Sequence, residues 1–162
     1  KNSLLLNQGM GSYFFIAEII MDVELEPDAP SSDHCGTCTR CIDACPTGAI
    51  IQSQVVDGSK CISYYTIELR GAIPEPAAQQ LSPWVFGCDI CQEVCPWNRH
   101  ATRHNEPLFE PHPDLLGLDA ADWQEMTEEV FRSVFKKSAV KRSGYQGILR
   151  NVQAAFPRDD GE

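Results

Sequence analysis

Apolar and polar residues follow several rhythms along this chain. Near the start, Ser3-Leu4-Leu5-Leu6 reads as a strand. Gly11-Ser12 followed by Tyr13-Phe14-Phe15-Ile16-Ala17-Glu18-Ile19-Ile20 predicts a capped, mostly buried helix. A lone strand is not stable, so its sheet is expected upstream and the chain is read as a piece of something longer. Glu26-Pro27-Asp28-Ala29-Pro30-Ser31-Ser32-Asp33 is a turn-rich linker. Val55-Val56-Asp57-Gly58-Ser59 predicts a hairpin turn, because Asp-Gly takes positive φ cheaply. A short helix near residues 77–81 interrupts a proline-marked loop. Helical spacing then dominates. Asp119 caps a helix through Trp123, and Thr127-Glu128-Glu129 opens one carrying Val130, Phe131, Val134 and Phe135. A third runs from Tyr145 to Phe156 with Ile148, Leu149 and Val152 on its apolar face.

These rhythms divide the chain into residues 1–30, a cysteine-rich unit over 31–100, and a helical tail over 101–162. No apolar run reaches the roughly 18 residues of a membrane span, since Tyr13 to Met21 is broken by Glu18. No membrane partner is expected.

Charge changes the picture of the tail. The formal net charge is −10, yet residues 130–158 hold Arg132, Lys136, Lys137, Lys141, Arg142, Arg150 and Arg158 with no acid. Such asymmetry says more about partners than the sum does.

The cysteines carry the chemistry. Cys35-x₂-Cys38-x₂-Cys41-x₃-Cys45-Pro46 has the spacing of a bacterial ferredoxin. A cysteine every third residue aims three thiolates at one cube of iron and sulfide, and the x₃ step turns the fourth toward a neighbouring cube. The second set is Cys61, then Cys88-x₂-Cys91-x₃-Cys95-Pro96, its first member displaced by the insertion Ile62 to Gly87. Crossed pairing assigns Cys35, Cys38, Cys41 and Cys95 to one [4Fe–4S] cluster. Cys45, Cys61, Cys88 and Cys91 go to the other. Zinc uses paired C-x₂-C units but needs no triple run followed by C-x₃-C-P. Four disulfides would suit a small secreted scaffold instead. Oxygen-sensitive clusters imply a reducing, cytoplasmic setting. The histidines His34, His100, His104 and His112 read as surface or loop residues, and Trp84, Trp97 and Trp123 as packing aromatics.

Beyond the ferredoxin spacing, several stretches closely resemble the epoxyqueuosine reductases. They are Lys1-Asn2-Ser3-Leu4-Leu5-Leu6-Asn7, Gly11-Ser12-Tyr13-Phe14-Phe15-Ile16-Ala17-Glu18-Ile19, Lys60-Cys61-Ile62-Ser63-Tyr64-Tyr65-Thr66-Ile67-Glu68 and Cys88-Asp89-Ile90-Cys91-Gln92-Glu93-Val94-Cys95-Pro96-Trp97-Asn98. The resemblance implies an α+β fold: a dicluster ferredoxin-like domain between the end of a corrinoid-binding domain and C-terminal helices. It implies two [4Fe–4S] clusters, cobalamin, an external electron donor and reduction of epoxyqueuosine to queuosine in tRNA by a cytoplasmic monomer. The proton-donating aspartate is expected upstream, so no acid here inherits a catalytic role and this chain alone is expected to be inactive. The resemblance also places Ser63 and Arg70 toward the corrinoid; the plainer reading gives Ser63 a local hydrogen bond and Arg70 a solvated helix end. Lys136, Lys137, Lys141 and Arg142 are expected to meet tRNA phosphates, with Arg150 a helix further on. The alternatives are a corrinoid-containing reductive dehalogenase and a plain dicluster electron carrier.

Overall fold

A computed structural model describes residues 1–157, so Arg158 and the acidic end through Glu162 lie outside the described residues. Residues 1–33 are almost wholly irregular, with one isolated bridge between Asn7 and Gly11. The strand expected at residues 3–6 does not form, nor does the buried helix expected from Tyr13 to Ile20. Phe15, Ile16, Ile19 and Ile20 are exposed, Ile20 at 98%. A helix whose apolar side meets no partner gains little burial to offset the entropy of ordering it, and residues 15–30 stay as an open strap.

The cysteine-rich unit begins with helix α1 (Arg40–Asp43) and a hairpin of β1 (Ile50–Gln52) and β2 (Val55–Val56), paired antiparallel with Ile50 opposite Val56. The turn lies at Ser53-Gln54, four residues before the Asp57-Gly58 signal. Gln54 takes the positive φ of 65°, and its N–H is held by the Lys1 carbonyl at 2.8 Å. Asp57 instead caps a 3₁₀ turn over Gly58–Lys60, its carboxylate accepting from the Ser59 N–H.

The insertion that separates Cys61 from Cys88 has a core of its own. Ile62, Tyr65, Ala77 and Leu81 are buried together, with Leu69, Ile73, Trp84 and Ala154 packed on them. It holds a π turn, Tyr64–Glu68, and helix α2 (Glu75–Ala78), slightly earlier than expected. Helix α3 (Ile90–Glu93) then carries the second cysteine run.

The tail follows its sequence pattern closely. Helix α4 (Ala120–Glu125) starts in a capping box between Asp119 and Asp122, and α5 (Glu128–Val134) is capped by Thr127. Helix α6 (Gly144–Ala155) buries Ile148 and Val152 against Met126, Phe131, Val134 and Phe135. Because Ala154 belongs to the insertion's core while Val85 and Phe86 pack on the tail's, α6 joins the two. Among the described residues the regular structure is mainly short helices, with two short strands. No helix among the described residues is long and apolar enough to cross a membrane.

Candidate metal centre

The two cysteine runs fold into near copies of one loop. Thr39 precedes α1 at φ −120°, ψ 5°, and Asp89 precedes α3 at φ −110°, ψ 7°. Each helix is four residues long and ends in a helical C-cap, Ala44 or Val94. The next residue is Cys45 or Cys95, and at Cys95 the backbone turns extended before Pro96. One turn of helix therefore separates two thiols of each run and sends the last one past the helix end.

Two cavities divide the eight thiols. A cavity of about 420 Å³ is lined by Cys35, Cys38, Cys41 and Cys95. A second, of about 250 Å³, is lined by Cys45, Cys61, Cys88 and Cys91. Each thus draws thiols from both runs. The displaced Cys61 reaches the second cavity because the insertion loops out and returns: Ser63 Oγ donates to the Cys88 carbonyl at 3.4 Å. All eight cysteines are free of disulfides. Among the described residues no three His, Cys, Asp or Glu side chains converge on a point fit for one ion. Four thiols around a cavity instead provide the donor set of an iron–sulfur cube.

Electrostatics tie the two cavities together. Burial first, then the nearby Cys88, Cys41, Cys61 and Cys45, push the Cys91 thiol up to about 11. Burial likewise raises Cys88, with Cys61 and Cys45 adding to it. Burial acts on Cys45 too, but hydrogen bonds from Thr47, Ala49 and Ile50 outweigh it and hold that thiol below its ordinary value. The Ala49 N–H lies 3.3 Å from the sulfur. Such N–H donors stabilise a thiolate and set the electronics of a cluster bound through it.

Other predicted site residues are distributed differently. Ser63 lines the second cavity while bonded to Cys88, and Arg70 is exposed. Lys136, Lys137 and Lys141 are exposed around the Ser138-capped 3₁₀ turn Ala139–Arg142. They make no ion pair among the described residues. Arg142 does: its guanidinium meets Glu68 at 2.8 and 2.9 Å. Arg150 is not a surface cation. It donates to the carbonyls of Tyr65, Leu69 and Gly71 at 2.7–2.8 Å, closing the end of the π turn, so its geometry opposes a phosphate contact.

The sequence reading also missed the network that seats residues 1–12. Asn2 is 6% exposed and donates to the Cys91 carbonyl at 3.0 Å. Asn98 accepts from the Ser12 N–H at 2.7 Å and donates to the Gln92 carbonyl at 2.7 Å. Gly11 has φ 76°, and a Cβ there would overlap the Asn98 carboxamide. Gly11→Ala is therefore expected to destabilise the protein by roughly 1–3 kcal/mol, read as a lower denaturant midpoint with unchanged slope. The Gly-Ser and Trp-Asn pairs were visible in the sequence, but nothing marked them as partners.

Comparison with known proteins follows the same lines. The profile of the 4Fe-4S double cluster binding domain matches residues 34–98. The chain is 60% identical over 152 residues to the epoxyqueuosine reductase of Cellulophaga algicola, covering 94% of this chain and 50% of that protein. Along nearly its whole length the chain is similar to one part of the epoxyqueuosine reductases. Among solved epoxyqueuosine reductases, the Bacillus subtilis enzyme, with its catalytic loop swung out of the active site, superposes at a TM-score of 0.85 with 33% identity. That match covers 94% of this chain and 41% of the enzyme. An epoxyqueuosine reductase crystallised with an epoxyqueuosine-modified tRNA stem loop gives 0.85 and 33%, covering 94% and 40%. The chain thus spans about half the length of the curated relatives it matches or less.

Proposed function

We propose that this chain is the electron-relay and tRNA-contacting part of an epoxyqueuosine reductase, an oxidoreductase that reduces epoxyqueuosine to queuosine in tRNA. The observation that carries the reading is the sorting of eight thiols into two four-cysteine cavities within a chain 60% identical to such an enzyme. Cys35, Cys38, Cys41 and Cys95 would hold one [4Fe–4S] cluster, and Cys45, Cys61, Cys88 and Cys91 the other. Bound clusters supply one-electron carriage. The chain's own part is to fix the thiols, donate N–H groups to Cys45 and keep the sites adjacent.

Cobalamin would bind mainly to the part of the relatives' length that this chain does not span. Ser63, on the wall of the second cavity, is the residue here best placed to face it; exposed Arg70 is the weaker candidate. In this reading residues 1–30 close the corrinoid domain, 31–100 form the relay and the tail reaches the tRNA. A cytoplasmic setting and a monomeric enzyme complete it.

Lys136, Lys137 and Lys141 would position tRNA through its phosphates, without reading sequence. Reversing all three to Glu in the full-length, cluster-loaded enzyme is expected to lower affinity for epoxyqueuosine tRNA about 10–100-fold at low salt and flatten its salt dependence. Filter binding over a salt series measures both. Unchanged affinity would remove the tRNA assignment. In the same preparation, a cobalt-free protein with both clusters intact would leave an electron carrier rather than a reductase.

A further inference from the structure

The two cavities differ in charge. The first is lined by Lys1, Arg40 and Arg99, with His34 and His100 beside them and no carboxylate. The second is lined by Asp89 and by no lysine or arginine. In a chain of 23 Asp/Glu against 13 Lys/Arg, this concentration of cations is local rather than compositional. The first cavity is also the less shielded. Cys38 is the one exposed cysteine of the eight, and it stands within an exposed run over residues 36–40. Arg40 and Arg99 extend the rim into the shallow groove between α1 and α3, where the acids are Asp43 and Glu93. Asp43 is engaged by the Thr39 hydroxyl at 2.7 Å.

We propose that this rim docks a small, acidic one-electron carrier protein of the ferredoxin class, and that electrons enter the chain through the cluster of Cys35, Cys38, Cys41 and Cys95. The inference rests on the cluster reading given above. An electron donor must come close to its acceptor, and Cys38 brings the lining of the first cavity to the surface. A ring of cations steers an acidic partner into place and holds it in the short-lived, small interface typical of redox encounters. The lysines assigned to tRNA lie on the tail, on other elements, so the rim is a separate basic surface. The step moves one electron: the reduced carrier is oxidised by one, the cluster is reduced by one, and no bond or proton need move.

The test uses the full-length protein with reconstituted clusters and the double variant Arg40→Glu, Arg99→Glu. Iron content is measured first. Cluster reduction is then followed by stopped-flow bleaching, with either a reduced acidic ferredoxin or photoreduced deazariboflavin, an uncharged small reductant. The expected result is at least a roughly tenfold slower reaction with the ferredoxin, a flattened salt dependence and an unchanged reaction with the deazaflavin. Where the reversal costs iron, Arg40→Gln with Arg99→Gln keeps the test open and is expected to slow the ferredoxin reaction in the same direction. An unchanged ferredoxin rate overturns the proposal. So does equal slowing with both reductants, which would mean the cations only offset the cluster's charge. A loss of tRNA affinity with donor kinetics intact also overturns it, making the rim a nucleic-acid contact. A wild-type protein that takes up no iron instead takes down the cluster reading itself.

Discussion

Replacing Cys95 by alanine is expected to cost the protein the cluster held through Cys35, Cys38 and Cys41, although Cys95 ends the other cysteine run. Iron should fall from about eight atoms per chain to about four. Cys45→Ala should do the reverse, removing the cluster of Cys61, Cys88 and Cys91. The reason is the helix turn that separates Cys41 from Cys45 and Cys91 from Cys95: each final thiol leaves its own loop and lines the opposite cavity. Double variants make the crossing visible. Adding Cys35→Ala to Cys95→Ala should remove nothing further, whereas adding Cys91→Ala should remove the remaining cluster. Ligation within each run would give the opposite pattern. Iron analysis with low-temperature spin-resonance spectra of the reduced protein reads out both.

Arg150→Met is expected to destabilise the fold by roughly 2–4 kcal/mol, among the larger single-residue effects outside the cysteines. The guanidinium caps three carbonyls at the end of the π turn, and the adjacent Asn151, fully buried, donates to the Thr66 and Val85 carbonyls at 2.7 and 2.9 Å. Removing the fork leaves partly buried acceptors without donors. Burial first, then the like charge of Arg70, lowers the Arg150 pKa, yet a guanidinium stays protonated there. Lysine should rescue little, since a point charge cannot serve three carbonyls in a fixed fork. Arg142→Ala, which removes an exposed pair with Glu68, should cost well under about 1 kcal/mol. Urea unfolding of the three variants would rank them.

The same arginine shows where sequence reasoning stopped. A cation in an acid-free stretch looks like a phosphate ligand until the insertion is seen to end beside it. The caps were legible: Asp119 and Thr127 satisfy N–H groups within three residues, a local effect that tertiary packing does not overturn. The cysteine spacing was legible for the same reason, because one helical turn fixes which thiols face together. The turn at Gln54 was not, since the Lys1 carbonyl that receives its N–H is far away in sequence. Nor was the Asn98 network, which joins residues 86 positions apart. The stretch from Tyr13 to Ile20 failed differently. Its apolar residues signal burial, but most of them stay exposed among the described residues.

That open strap has a colloidal consequence. Phe15, Ile16, Ile19, Ile20, Val23 and Leu25 are all more than half exposed, on a backbone free to pair edge to edge with another copy. Glu18, Asp22, Glu24, Glu26 and Asp28 are interspersed or follow directly, with no lysine or arginine between residues 13 and 33. At neutral pH, two straps brought side by side would crowd like charges together, and self-pairing is opposed. That protection is electrostatic and is screened away as salt rises, leaving a sticky ribbon whose solubility depends on acid groups that take no part in the chemistry.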